Sequence, residues 1–220
     1  MQMASVRRCA AALPAVLLLM VAASTPTSAQ QQQQSGAQTL LERAAESRSK
    51  GSPDAPVLVF EISDFQCPHC RRFALDVFPR IDSAYVQTNR VQWVFVSLPM
   101  PSHTNAWVAH EAAACAGAVG DRFWEMKERV FRNQEEWAEA ADPGALMERY
   151  ARAERVPMEA WTACVQLDRV AAMLLQDVFF GSRVSGTPTF IINNQQTVVG
   201  VKSFAEWREI LETALKQRRD

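Results

Sequence analysis

Two hydrophobic periodicities divide the chain. Val57-Leu58-Val59-Phe60-Glu61-Ile62 is a short, nearly unbroken apolar run rich in β-branched residues, which predicts a buried strand. Phe73, Ala74, Val77 and Phe78 then recur at helical spacing, and Pro79 is expected to kink or interrupt that helix. Val91-Gln92-Trp93-Val94-Phe95-Val96 reads as a second strand. Strand, helix and strand in this order form a βαβ unit, with parallel strands and a right-handed crossover.

From Thr104 to about Gly181 the pattern is helical almost throughout. Ala106 to Val119 is alanine-rich, and Asp121 to Phe131 carries Phe123, Trp124, Met126, Val130 and Phe131 on roughly one side. Pro143 opens a further helix with Asp142 as its N-cap, Pro157 opens the next, and Val170 to Phe180 forms the last of the block. The tryptophans here, Trp107, Trp124, Trp137 and Trp161, read as core. Strand character returns at Gly186-Thr187-Pro188-Thr189-Phe190-Ile191-Ile192. Asn193-Asn194 marks a turn, and Thr197-Val198-Val199 is the paired hairpin strand. Ser203 and Glu206 make a capping box for a final helix whose apolar face is Phe204, Trp207, Ile210, Leu211, Ala214 and Leu215. The fold class is therefore α/β: a βαβ half and a ββα half separated by an all-helical insertion at about 104–181.

Cys67-Pro68-His69-Cys70 lies where the first strand gives way to the first helix. A helix N-terminus offers unsatisfied N–H groups and partial positive charge, which favour a thiolate at Cys67. Pro68 suits the first helical turn, and a protonated His69 would add to the stabilisation. Half of a zinc site is the competing reading of two cysteines at this spacing. It needs a second ligand pair, whereas Cys115 and Cys164 stand singly, 49 residues apart. No histidine follows Cys70 directly, so the haem-attachment pattern fails as well. The pair reads as a redox-active dithiol that requires no metal and no other cofactor. His103 and His110 read as surface or packing residues.

Composition adds a compartment. With 48% hydrophobic and 21% charged residues in 220, the chain is of ordinary globular make-up, and a formal charge of −1 points to neither nucleic acid nor an anionic membrane. Residues 1–29 read as a cleaved signal peptide: Arg7 and Arg8, an apolar stretch from Ala10 to Ala23, then Thr27-Ser28-Ala29 as a cleavage site, with Val21-Ala22-Ala23 as a second option. An uncleaved anchor is the alternative, with a 14-residue run containing Pro14 that is short for a span. Cleavage removes Cys9 and two arginines, so four cysteines remain and the formal charge moves from −1 to −3. Residues 30–50 begin with a glutamine run and read as a flexible linker, with a short helix suggested by Leu40, Leu41, Ala44 and Ala45 and a loop over Arg48 to Pro56. The globular domain is then 51–220. Export places its cysteines in an oxidising compartment, periplasmic or otherwise extracytoplasmic.

Asp64-Phe65-Gln66-Cys67-Pro68-His69-Cys70, the helical block, and Gly186-Thr187-Pro188-Thr189-Phe190 together resemble the DsbA-like thiol:disulfide oxidoreductases of the thioredoxin superfamily, from about Gly51 to the C-terminus. The resemblance implies a thioredoxin-like fold. It implies Cys67 as the exposed attacking sulfur, Cys70 as its buried resolving partner, and Pro188 as a cis-proline that faces them and aligns the substrate chain. It implies that Glu61 is a buried acid assisting proton transfer at the inner cysteine. Substrates would be newly exported proteins with free cysteines, and a membrane quinone-linked partner would reoxidise the pair. Thr187 stands where the best-known oxidases carry valine, and threonine occurs there in isomerase-like and reductase-like relatives. Oxidase, and reductase or isomerase, thus remain alternatives, beside a copper-handling protein built on the cysteine pair. Some relatives carry a second, non-catalytic bond in the helical block. With the even cysteine count and the compartment, this implies a structural disulfide between Cys115 and Cys164.

Overall fold

A computed structural model describes residues 39–218; the expected signal peptide and the glutamine run lie outside the described residues. Helix α1 (39–47) leads into a two-residue strand, β1 (Ser49–Lys50), and the central strands follow as β2 (Val57–Ser63) and β3 (Val91–Ser97). After the insertion come β4 (Thr189–Ile192), β5 (Gln196–Val199) and the last helix, Phe204–Gln217. The sheet order is β1-β3-β2-β4-β5, with β2 and β3 parallel and the other pairs antiparallel. In register, Val59 stands opposite Trp93 and Glu61 opposite both Phe95 and Phe190, so β2 is the middle of the sheet.

Two sequence expectations change. The stretch 39–50 is part of the domain rather than a linker. Ala44 on α1 is fully buried in the helical core, and Ser49 and Lys50 pair with Val94 and Trp93. Arg48 to Pro56 is accordingly not all loop. The reason is close packing at a glycine: a Cβ on Gly117 would lie 2.1 Å from Ser47 Oγ, so only glycine lets α1 settle there.

The helix after Cys70 does not break at Pro79. α2 (Pro68–Arg72) passes through a wide π turn (Phe73–Val77) into α3 (Phe78–Ile81), and a second π turn (Asp82–Val86) ends the column. The Phe78 N–H reaches back to the Phe73 carbonyl, so a local i→i−5 pattern accommodates the proline, which has no N–H to donate.

The insertion comprises α4 (Ala106–Gly120), α5 (Phe123–Arg132), α6 (Gln134–Trp137), α7 (Pro143–Ala153), α8 (Met158–Gln166) and α9 (Ala171–Gly181); the final helix is α10. The expected Asp142 N-cap and Ser203–Glu206 capping box are both present. One sheet face packs Val59, Trp93 and Phe190 against α3 and α10 through Phe78 and Trp207. The opposite face packs Ile62 and Val96 under α9, where a Cβ on Gly181 would meet Leu98 at 3.0 Å. A third core fills the insertion and closes over the end of β2 at Phe65 and Cys70. Inside it, Cys115 and Cys164 are joined, tying α4 to α8 with Cα atoms 5.8 Å apart. Glu111, one turn before Cys115, is buried near Asp168; burial and that neighbouring carboxylate push its pKa up to about 7.

Candidate active site

β2 ends at Ser63, and the four residues that follow make a tight turn ending at Cys67, the N-cap of α2. The turn is held from both halves of the molecule. Asp64 is fully buried and accepts from the backbone of Gln66 (2.7 Å) and Met100 (2.8 Å) and from His103 Nδ1 (2.6 Å). The Phe65 N–H donates to His110 Nε2 at 3.3 Å, and that imidazole packs on the Phe65 ring. From the insertion, Gln134 Nε2 donates to the carbonyls of Phe65 (2.6 Å) and Cys67 (3.1 Å). Gln66 Nε2 donates to the Ala138 carbonyl, and Gln66 Oε1 accepts from the Asn105 N–H. Both histidines thus serve the turn as supports, in keeping with their reading as packing residues.

Cys67 and Cys70 are free thiols. Cys70 is fully buried, and its sulfur accepts from the Asp64 N–H at 3.5 Å. Cys67 is the more accessible of the two, yet only 6% of it is exposed, so the expected exposed sulfur is a recessed one. Its cover is the loop carrying Thr187–Pro188, a cis peptide bond, and the Thr187 carbonyl oxygen lies 3.5 Å from Cys67 Sγ. Hydrogen bonding from the Cys70 thiol, then from the Thr187 side chain and the backbone N–H groups of Cys70 and His69, lowers the Cys67 pKa to about 5 against the opposing effect of burial. Burial, with Cys67 alongside, pushes Cys70 well up. His69 therefore acts through its backbone N–H; its side chain, like Pro68, faces solvent.

Glu61 is fully buried, as the resemblance implied. Its Oε2 accepts from Trp93 Nε1 (2.8 Å) and from Lys127 Nζ (3.0 Å), while Oε1 has no partner. Lys127 comes from α5, is 3% exposed, and lies 4.4 Å from the Phe78 ring and 4.7 Å from the Trp124 ring. Burial lowers its pKa, opposed by Glu61. Lys127 and Gln134 are the residues that sequence reasoning missed. A lysine in an amphipathic helix and a glutamine after an asparagine both read as solvent-facing, and nothing local marks them as buried. Among the described residues, no cluster of three or more His, Cys, Asp or Glu side chains is arranged to hold a metal ion. Cys67 and Cys70 lack a third ligand from that set.

The chain and its fold have counterparts in known proteins. A thioredoxin family model matches residues 43–213. Disulfide bond formation protein D of Bacillus subtilis is 27% identical over 173 residues, covering 76% of this chain and 75% of that protein. The oxidised crystal structure of BdbD from Bacillus subtilis superposes with a TM-score of 0.66 at 25% identity, over 79% of this chain and 93% of that one. The crystal structure of Wolbachia pipientis alpha-DsbA1 superposes with a TM-score of 0.69 at 19% identity, over 78% and 92%.

Proposed function

We propose that this chain, which belongs to the thioredoxin family and is a DsbA-like protein thiol:disulfide oxidoreductase, works as an exported oxidase that introduces disulfides into newly translocated proteins. The observation that carries the oxidative direction is the stabilised Cys67 thiolate, with a pKa near 5. A dithiol whose thiolate is stabilised holds its reduced form at low free energy, and its disulfide is correspondingly oxidising.

In the oxidised enzyme a substrate thiolate attacks Cys67 Sγ. The Cys67–Cys70 bond breaks, a mixed disulfide forms at Cys67, and Cys70 leaves as a thiolate that takes up a proton. A second substrate thiolate attacks the substrate sulfur of the mixed disulfide and releases Cys67 as its stable thiolate. Two electrons pass from the substrate dithiol to the enzyme, and the substrate gains one disulfide. Thr187 and Pro188 position the substrate chain over Cys67. Glu61, held by Lys127 and Trp93, supports protonation of Cys70. No added cofactor enters this scheme; a membrane quinone-linked protein would take the electrons onward. The N-terminal leader supports an extracytoplasmic site of action, and among the described residues no helix is long and apolar enough to cross a membrane.

Equilibration of the Cys67–Cys70 pair against glutathione tests the direction. An oxidase should show a potential more positive than about −200 mV, whereas a value near −270 mV, the range of thioredoxin, would make the chain a reductase.

A further inference from the structure

Helix α9 has two apolar faces, and the fold uses only one. Met173, Leu174 and Gly181 are buried against the insertion and the sheet, and Asp177 fixes that side by accepting from the Ser97 N–H at 2.9 Å and pairing with Arg48. The outward side of a solvent-facing helix is ordinarily polar. Here Gln176 is the one polar residue it carries. Leu175 is 59% exposed, Phe179 70% and Phe180 41%. The surface continues onto the sheet, where the Phe180 ring lies 5.8 Å from that of Phe60, and Met100 and Val184 flank it half-buried.

Its position relative to the cysteines decides what covers it. The chain leaves α9 at Gly181, the Val184 N–H bonds back to the Gly181 carbonyl, and by Thr187 the backbone is in contact with Cys67 Sγ. At its other edge Met100 donates its N–H to Asp64, which in turn donates its own to Cys70 Sγ. The apolar strip is thus continuous with the loop that receives substrate at the reactive sulfur. A protein that still lacks its disulfides has not closed its core, and presents leucine and aromatic side chains beside its cysteines.

We propose that the outer face of α9, centred on Leu175 and Phe179, is a docking strip for apolar segments of the unfolded client whose cysteine is at Cys67. The inference rests on the oxidase reading and adds how a client is held. Thr187 lies eight positions after Phe179, and an extended chain spans at most about 3.3–3.6 Å per residue, which puts the strip within about 29 Å of the loop. A client residue roughly eight to ten positions from the reacting cysteine therefore reaches the strip on the same estimate.

The test compares the full chain with the double variant Leu175→Gln, Phe179→Gln. Both positions lie outside the catalytic machinery and are exposed, and circular dichroism verifies that the variant is folded. Two reduced peptides with the same cysteine pair are oxidised. One carries leucine and phenylalanine roughly eight to ten positions away on either side, the other serine and glutamine there. The wild type should take the apolar peptide with a KM about tenfold lower. The variant should lose that preference with kcat unchanged, and its handling of the polar peptide should not move. An equal KM for the apolar peptide in wild type and variant overturns the proposal. So does a wild-type dimer that the variant dissociates, which makes the strip a contact between copies. So does binding of the wild type alone to phosphatidylcholine–phosphatidylglycerol vesicles. If neither peptide is oxidised, the oxidase reading has failed; fluorescence anisotropy with a cysteine-to-serine apolar peptide still decides the docking.

Discussion

Replacing Lys127 by methionine isolates the buried charge pair beneath the site. Methionine keeps an unbranched apolar stem against Phe78 and Trp124, so the change removes a charge rather than a packing contact. It leaves Glu61, fully buried, with the Trp93 N–H as its remaining hydrogen bond on Oε2 and none on Oε1. Stranding one member of such a pair destabilises a protein by about 3–5 kcal/mol. In a domain of 180 described residues, at about 2–4 °C per kcal/mol, Tm should fall by roughly 6–20 °C. Replacing both partners tells a different story. Glu61→Leu with Lys127→Met puts apolar atoms where two charges were desolvated, and should come within about 2 kcal/mol of the wild type or exceed it. Urea unfolding of the reduced single and double variants gives the coupling energy directly. A loss below about 1 kcal/mol for Lys127→Met, or a double variant as unstable as the sum of the singles, would refute the view that the pair is closely coupled.

Three further outcomes follow from the same geometry. The absorbance of the Cys67 thiolate should titrate with a midpoint near 5, against 9.0 for an ordinary cysteine. Because the folded pKa is depressed, its contribution to the reduced fold is complete above pH 9 and lost as pH falls through 5, so at pH 7 the reduced protein should be favoured by about 3 kcal/mol from this group; urea curves at several pH values read it. Glu111 has the opposite sign: its pKa is raised from 4.5 to about 7, so its neutral form is favoured and stability is lost as pH rises through that range. Glu111→Gln should therefore raise Tm at pH 8 and leave it nearly unchanged near pH 4, and an equal gain at both would exclude the carboxyl as the cause. Changing Cys115 and Cys164 to alanine opens a loop of 49 residues and should remove about 4 kcal/mol of stability by the chain-entropy relation, with activity towards a short dithiol peptide retained.

The elements that a single periodicity defines were legible: both central strands, the hairpin after Pro188, and α10 with its capping box. So was the reactive pair, because a strand-to-helix junction and two cysteines are local facts. Ser49–Lys50 escaped notice because two half-buried polar residues form a strand only when β3 is there to receive them. Pro79 marked an interruption of the α-helix but not its form, because the column switches to i→i−5 at Phe73 and then continues with Pro79 in the first turn of α3. Lys127 and Gln134 were invisible for a related reason. Their value lies in partners 66 to 69 residues away in the chain, and no pattern within one helix carries that information.

Gln134 and Asn105 have a consequence for timing. The turn that aims Cys67 takes hydrogen bonds from residues 134, 103 and 105, and the Cys67 thiol donates to the Thr187 carbonyl. A growing chain that ends before α6 has both cysteines and the helix N-terminus that begins to set them apart, but lacks Gln134 and the loop at 187. The difference between the two sulfurs is complete only when these distant contributors have closed on the turn, and long-range closure is the slow part of building such a domain. The local part of the reactivity thus belongs to the motif, and its full extent belongs to the finished fold.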